Sequence, residues 1–169
     1  MHKYEAFSIL DRTYKEFGAS EFGRMCQILL GFSFIYAGYK VPIMQLSGRP
    51  DITALKGSAS IAIEVKTSES QVIRLKKDDL QGITNGRSSK SVVAVLSYPD
   101  IEISWILADA SRLNAGEYSK SSLRIFGITD IENEINYYFF PVIERFKSSM
   151  MQGTSILLQV FRGTQRNAL

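Results

Sequence analysis

Two acids and a lysine stand out for the chemistry their spacing would allow. Asp51 follows Pro50 in the stretch GRPD, and Glu64 and Lys66 fall two apart near the end of the apolar run SIAIEVKTS. Alternation at period two sends Ile61, Ile63 and Val65 to one face of a strand and Ala62, Glu64 and Lys66 to the other. A hairpin with Asp51 at the start of one strand and Glu64 near the end of the next brings the two carboxylates within a few ångströms. Two carboxylates in a dry site need a counter-ion, and a hard divalent cation such as Mg²⁺ suits their oxygens. Such an ion binds phosphate oxygens and lowers the pKa of a bound water. Lys66, on the same face, would orient or deprotonate that water, or neutralise charge on a phosphate. The same letters also describe a turn that starts a strand and a Glu–Lys pair on a solvated face. The surrounding elements decide between the two.

Those elements read as follows. Phe7, Leu10, Tyr14 and Phe17 recur at helical intervals, and Gly18 is expected to end that helix. Ser20 is placed to cap a second helix over about 21–37, apolar nearly all round in its later half and closed by Gly38. Strands are expected over about 40–45, 51–55 and 60–66, the last two forming a hairpin. LKKDDLQGITN (75–85) looks helical, and SVVAVLSY (91–98) and EISWILAD (102–109) are β-rich runs separated by a Pro-Asp turn. The order α-α-β-β-β-α-β-β implies a mixed sheet flanked by helices. Further on, Thr129 and Glu132 have the spacing of a capping box for a helix beginning near 130, which Pro141 should interrupt or restart. The aromatic cluster YYFF (137–140) and the run SILLQVF (155–161) offer more apolar surface than one buried helix face needs.

Composition excludes several alternatives. A chain of 169 residues that is 45% hydrophobic and 22% charged fits one globular domain, 1–169, with 115–169 as a C-terminal extension on the core or at an interface. The net charge of +3 favours a polyanionic partner only weakly. One cysteine, Cys26, and one histidine, His2, argue against a disulfide framework, a zinc cluster or a histidine-based triad. No phosphate-loop or dinucleotide-binding motif is present. The run ILLGFSFIYAGY (28–39) is too short for a membrane span and reads as a buried helix, and the N-terminus lacks a secretory pattern, so a cytoplasmic protein with no membrane contact is expected.

Pro50-Asp51 followed by Glu64-Val65-Lys66 resembles the signature of the PD-(D/E)XK nuclease superfamily. The likeness extends over roughly residues 18–110: a helix ending at Gly38-Tyr39, GRPD, an apolar strand ending in EVK, a helix with Lys77 and Asp79, and two more strands with Trp105. In that order these features resemble the archaeal Holliday-junction resolvases. The resemblance implies a restriction-endonuclease-like core, α-β-β-β-α-β-β, and a DNA endonuclease. Asp51 and Glu64 would hold Mg²⁺, with Mn²⁺ as a substitute, the carbonyl of Val65 would add a ligand, and Lys66 would assist the attacking water. The resolvases are homodimers, so a homodimer or a higher assembly of dimers acting on junction or duplex DNA is expected, with the C-terminal aromatics at the contact.

The family's first helix supplies another glutamate, and spacing from Gly23 and Gly38 puts Gln27 at that position. Glu21 is the alternative. On a helix the two lie about 240° apart, so both cannot face one metal. Where the resolvases carry an arginine and a serine in the first strand, this chain has Ile43 and Met44, and Ser47 in the next loop is retained. A site-specific restriction or homing endonuclease on the same fold, or an inactive DNA-binding relative, stays open. Ser47, Arg49, Arg74, Lys76, Lys77 and Arg87 are the candidate DNA contacts, the last four flanking the helix after the motif, where positive charge would grip phosphates.

Overall fold

The computed structural model describes residues 3–45, 50–100 and 102–167. A long helix, α1 (Lys3–Tyr36), leads into β1 (Lys40–Met44), β2 (Ile52–Lys56) and β3 (Ala59–Thr67). Then come β4 (Val72–Leu75), α2 (Lys77–Thr84), β5 (Lys90–Leu96) and β6 (Trp105–Asp109). β7 (Gly116–Ser119), the single turn α3 (Lys120–Leu123), α4 (Thr129–Met150) and α5 (Thr154–Asn167) complete the described chain. The central sheet has the order β1-β2-β3-β5-β6. It is mixed: β3 and β5 run parallel across the α2 crossover, and the other neighbours are antiparallel. The fold is therefore α/β, with a mixed sheet flanked by helices and the α-β-β-β-α-β-β order interrupted only by β4.

Alternation along the central strands builds two cores. Ile61 and Ile63 of β3 and Val92, Ala94 and Leu96 of β5 face α1, α4 and α5. Ala62, Val93 and Val95 face the other way, toward Leu80 and Ile83 of α2 and Ile73 and Leu75 of β4. Both faces are covered, which is why these strands are apolar at nearly every position. The later half of α1 lies in the first core, with Ile28, Leu29, Leu30, Phe32 and Phe34 all fully buried. Gly31 permits the tightest approach there: an added Cβ would clash with the Met44 side chain of β1 and fall 2.9 Å from the Phe161 ring of α5. Phe32 meets that ring edge-on at 4.9 Å and stacks on Phe146 of α4 at 3.9 Å.

Gly18, at φ 78° and ψ 172°, breaks the helical geometry and divides α1 into two helices across a kink, as the sequence predicts. Other expectations are corrected. Leu75 belongs to β4, which pairs with β7 in a second, two-stranded sheet, and Lys76 is the N-cap of α2; residues 102–104 precede β6 without joining it. Thr129 and Glu132 form no capping box: Glu132 accepts the Leu107 N–H at 2.8 Å and tethers α4 to β6. Pro141 sits inside α4 without ending it. The carbonyl that loses its intrahelical partner is that of Tyr137, a residue 75% exposed. Phe139, Leu157 and Phe161 are buried in the chain's own core, and of the 137–140 cluster only Tyr137 stands out in solvent. Among the described residues no helix is long and apolar enough to cross a membrane.

Candidate active site

β2 and β3 position the two acids. Ile52 opposes Ile63 in the antiparallel register, so Asp51, one step before β2, comes level with Glu64. The Asp51 carboxylate accepts the main-chain N–H of Val65 at 2.8 Å. Glu64 is 4% exposed and receives the Lys66 ammonium at 2.8 Å. The shared face read from the alternation is thus an ion pair in a half-buried place.

Lys66 has a second acidic neighbour. Its Nζ lies 3.1 Å from Asp79 Oδ2, and the same oxygen accepts the main-chain N–H of Lys76 at 2.9 Å, closing the first turn of α2. Asp79 is only 2% exposed. Burial works to lower the Lys66 pKa, but the hydrogen bond and charge of Glu64, followed by those of Asp79, outweigh it and the pKa is raised. Lys66 stands in the site as an ammonium.

α1 brings the fourth group. A Cβ on Gly23 would fall 2.9 Å from Thr67 Oγ1, so the absence of a side chain lets the helix lie against the end of β3. One turn later Gln27, 6% exposed, donates its amide nitrogen to the carbonyls of Gln45 and, at 3.3 Å, Asp51. Both amide hydrogens are thereby used, and Oε1 is the atom left to accept or ligate. Glu21 instead pairs with Arg24 at 2.9 Å on the outer surface. Gln27, not Glu21, faces the acids.

Gln27, Asp51, Glu64, Val65 and Lys66 line one open cleft of about 430 Å³, together with Ala19, Ser20, Gly23, Arg24 and Thr67. Among the described residues no three acidic, histidine or cysteine side chains cluster as a metal centre. The cleft offers two carboxylates, a main-chain carbonyl and an amide oxygen, all hard donors, and this set fits Mg²⁺ or Mn²⁺.

Arg74 lies on β4 level with Glu117, Lys76 and Lys77 start α2, and Arg87 follows it; all four are exposed and none lines the cleft. Ser47 and Arg49 lie outside the described residues. Arg24 is a cleft cation that the motif reading missed, and its place directly after Gly23 was the available signal. Trp105 is wholly buried, its main chain held by Asn136. Cys26 is also buried, and burial pushes its thiol pKa up, leaving it inert.

No protein-family model matches the chain, and no curated protein matches it. Among solved structures the chain is similar to Hjc, a Holliday junction resolvase from the archaeal hyperthermophile Archaeoglobus fulgidus. The two are 20% identical, the match covers 60% of this chain and 88% of that one, and the TM-score is 0.49.

Proposed function

We propose that the protein is a Mg²⁺-dependent DNA endonuclease that hydrolyses phosphodiesters directly, with a four-way junction as its foremost candidate substrate. The observation that carries this reading is the convergence of Asp51, Glu64, Lys66 and Gln27 on one open cleft. Asp51, Glu64 and the Val65 carbonyl would hold the cation, with Gln27 Oε1 placed to hold a water or ligate directly. When bound, that cation polarises a phosphate oxygen and supplies a water of lowered pKa. Lys66, held as an ammonium between Glu64 and Asp79, orients the water and neutralises charge that builds on the phosphate. Arg24 at the rim, and the exposed Arg74, Lys76, Lys77 and Arg87 beyond it, provide phosphate contacts.

Cutting both strands of a twofold substrate requires two such clefts, so the proposal includes a homodimer. Because Phe139, Leu157 and Phe161 are buried within one chain, the contact draws on other surface. Work on DNA with a reduced Cys26 suits the cytoplasm. The test is incubation with Mg²⁺ and four-way junction, duplex, nicked and single-stranded DNA, with and without a chelator. Chelator-sensitive nicking confined to junctions supports the full reading, whereas sequence-dependent duplex cuts favour a restriction or homing enzyme. Binding without cleavage of any substrate rejects the enzyme.

A further inference from the structure

A second cavity, of about 340 Å³, adjoins the cleft and shares Ala19 and Thr67 with it. It lies beyond the carboxyl ends of β3 and β5, the parallel pair, where α/β sheets characteristically receive ligands. Its volume is within the range of small-ligand sites, about 300–1,000 Å³.

The lining sets three aromatic rings, Tyr14, Phe22 and Tyr98, beside one acid, Glu69, and the hydroxyl residues Thr67, Ser68 and Ser70. Phe22 and Tyr98, their rings 4.9 Å apart, are almost fully buried and make a fixed floor. Tyr14 is half-buried beside them, 5.3 Å from Phe22 and 5.8 Å from Tyr98. The exposed Glu69 lines the same cavity, and its carboxylate pushes the Tyr14 hydroxyl pKa up. The wall is tied down from behind. Lys120, 6% exposed, donates to the carbonyl of Ser68 at 2.9 Å and that of Tyr98 at 2.6 Å, joining the segments that follow β3 and β5.

This chemistry differs from that of the neighbouring cleft. A carboxylate at the mouth repels phosphate and accepts N–H groups, and aromatic walls favour a flat, uncharged partner. In a nucleic-acid strand the group that hangs beside each phosphate is a base. A carboxylate is matched best by guanine, whose Watson–Crick edge offers N1–H and an N2 amino hydrogen side by side; cytosine and adenine offer one amino group, and thymine a single N3–H flanked by two carbonyls that repel a carboxylate. We propose that this cavity holds one unstacked nucleobase, guanine in preference, next to the phosphate bound in the cleft, with Glu69 reading its N–H edge and Tyr14 packing against its face. The inference rests on reading the adjoining cleft as a phosphate site, and it deepens that reading by giving the substrate a base preference at a distorted or unpaired position.

The test uses neither metal nor cleavage. Deoxyguanosine and thymidine are titrated into the protein without divalent ions, and NMR follows the amides of Ser68, Glu69 and Ser70 and the ring of Tyr14. Deoxyguanosine should shift these signals and thymidine should not, and Glu69→Gln should weaken deoxyguanosine binding about tenfold. Glu69 is exposed, so an unchanged circular dichroism spectrum is expected for that variant. Absence of shifts at millimolar deoxyguanosine, an equal response to thymidine, or unaltered binding in Glu69→Gln would overturn the proposal. A wild-type protein that binds deoxyguanosine here yet cleaves nothing with Mg²⁺ would reject the nuclease while leaving the base pocket standing.

Discussion

Asp51 holds the Val65 N–H across 2.8 Å, so the first acid of the cleft is fastened to the strand that carries the second. Asparagine keeps an acceptor oxygen at that place and loses only the charge. Asp51→Asn should therefore abolish cleavage, bind DNA as well as or better than the wild type, and melt within about 0.5 kcal/mol of it. Asp51→Ala removes the acceptor as well and should lose about 1 kcal/mol in urea unfolding. Wild-type cleavage by Asp51→Asn would sink the metal assignment.

Gln27 and Glu21 separate cleanly. Gln27→Ala should slow cleavage and Glu21→Ala should do little, because Glu21 does not line the cleft and its carboxylate is turned to Arg24 at the rim. Placing a glutamate at position 27 should not be benign. Gln27→Glu sets a carboxylate against the carbonyls of Gln45 and Asp51 and removes the amide donor from both, leaving the Asp51 carbonyl with the Gln45 main-chain N–H alone. In chelator it should be less stable by about 1–3 kcal/mol, read from thermal melts. A melt equal to that of the wild type would mean that those two hydrogen bonds do not hold α1 in place.

Asp79 binds Lys66 and the start of α2 through one oxygen. Asp79→Asn retains an acceptor for the Lys76 N–H but removes the charge facing Lys66. Its kcat should fall about 10- to 100-fold with KM little changed. Normal kcat in that variant would reduce Asp79 to a helix cap.

Alkaline pH should unfold the protein through two tyrosines. Burial, then the charge and hydrogen bond of Glu134, push Tyr39 up to about 12. Burial, then the charge and hydrogen bond of Asp11, raise Tyr98 as well. Both values exceed the unfolded one, about 10. The stability they contribute is fully present below that pH and is lost as pH rises through the folded values. Urea midpoints should decline from about pH 10 upward, and phenolate absorbance should show these two rings ionising after the exposed ones. Glu134→Gln should bring Tyr39 down; an unmoved Tyr39 would leave burial as its only cause.

The central sheet was legible because alternation in SIAIEVK and the long apolar run of β5 are signals carried by contiguous residues. β4 and β7 were not, since VIRL and GEYS are four residues each and become strands only by pairing across a long separation. Asp79 stood out only as a feature of the helix after the motif, and nothing local in LKKDDL shows that it is buried where Asp78 is exposed. Its burial depends on where Lys66 lies. Lys120 was hidden in the same way, since its two acceptors are carbonyls after β3 and β5. Gln27 was found through its spacing from Gly23, which works because that glycine sets how α1 meets β3.

Gly31 has a bearing on when this chain can fold. It lies in α1, yet the ring that closes over it, Phe161, belongs to α5, the last helix described. Phe32 likewise waits for Phe146 and Phe161. During synthesis the Gly31 side of α1 lacks part of its cover until α5 has emerged, even after β3, β5 and α4 are in place, so apolar surface stays open to other contacts. Ribosome-bound chains arrested before Thr154 should be cut rapidly by protease within α1, and chains extended past Asn167 by enough residues to clear the exit tunnel should resist.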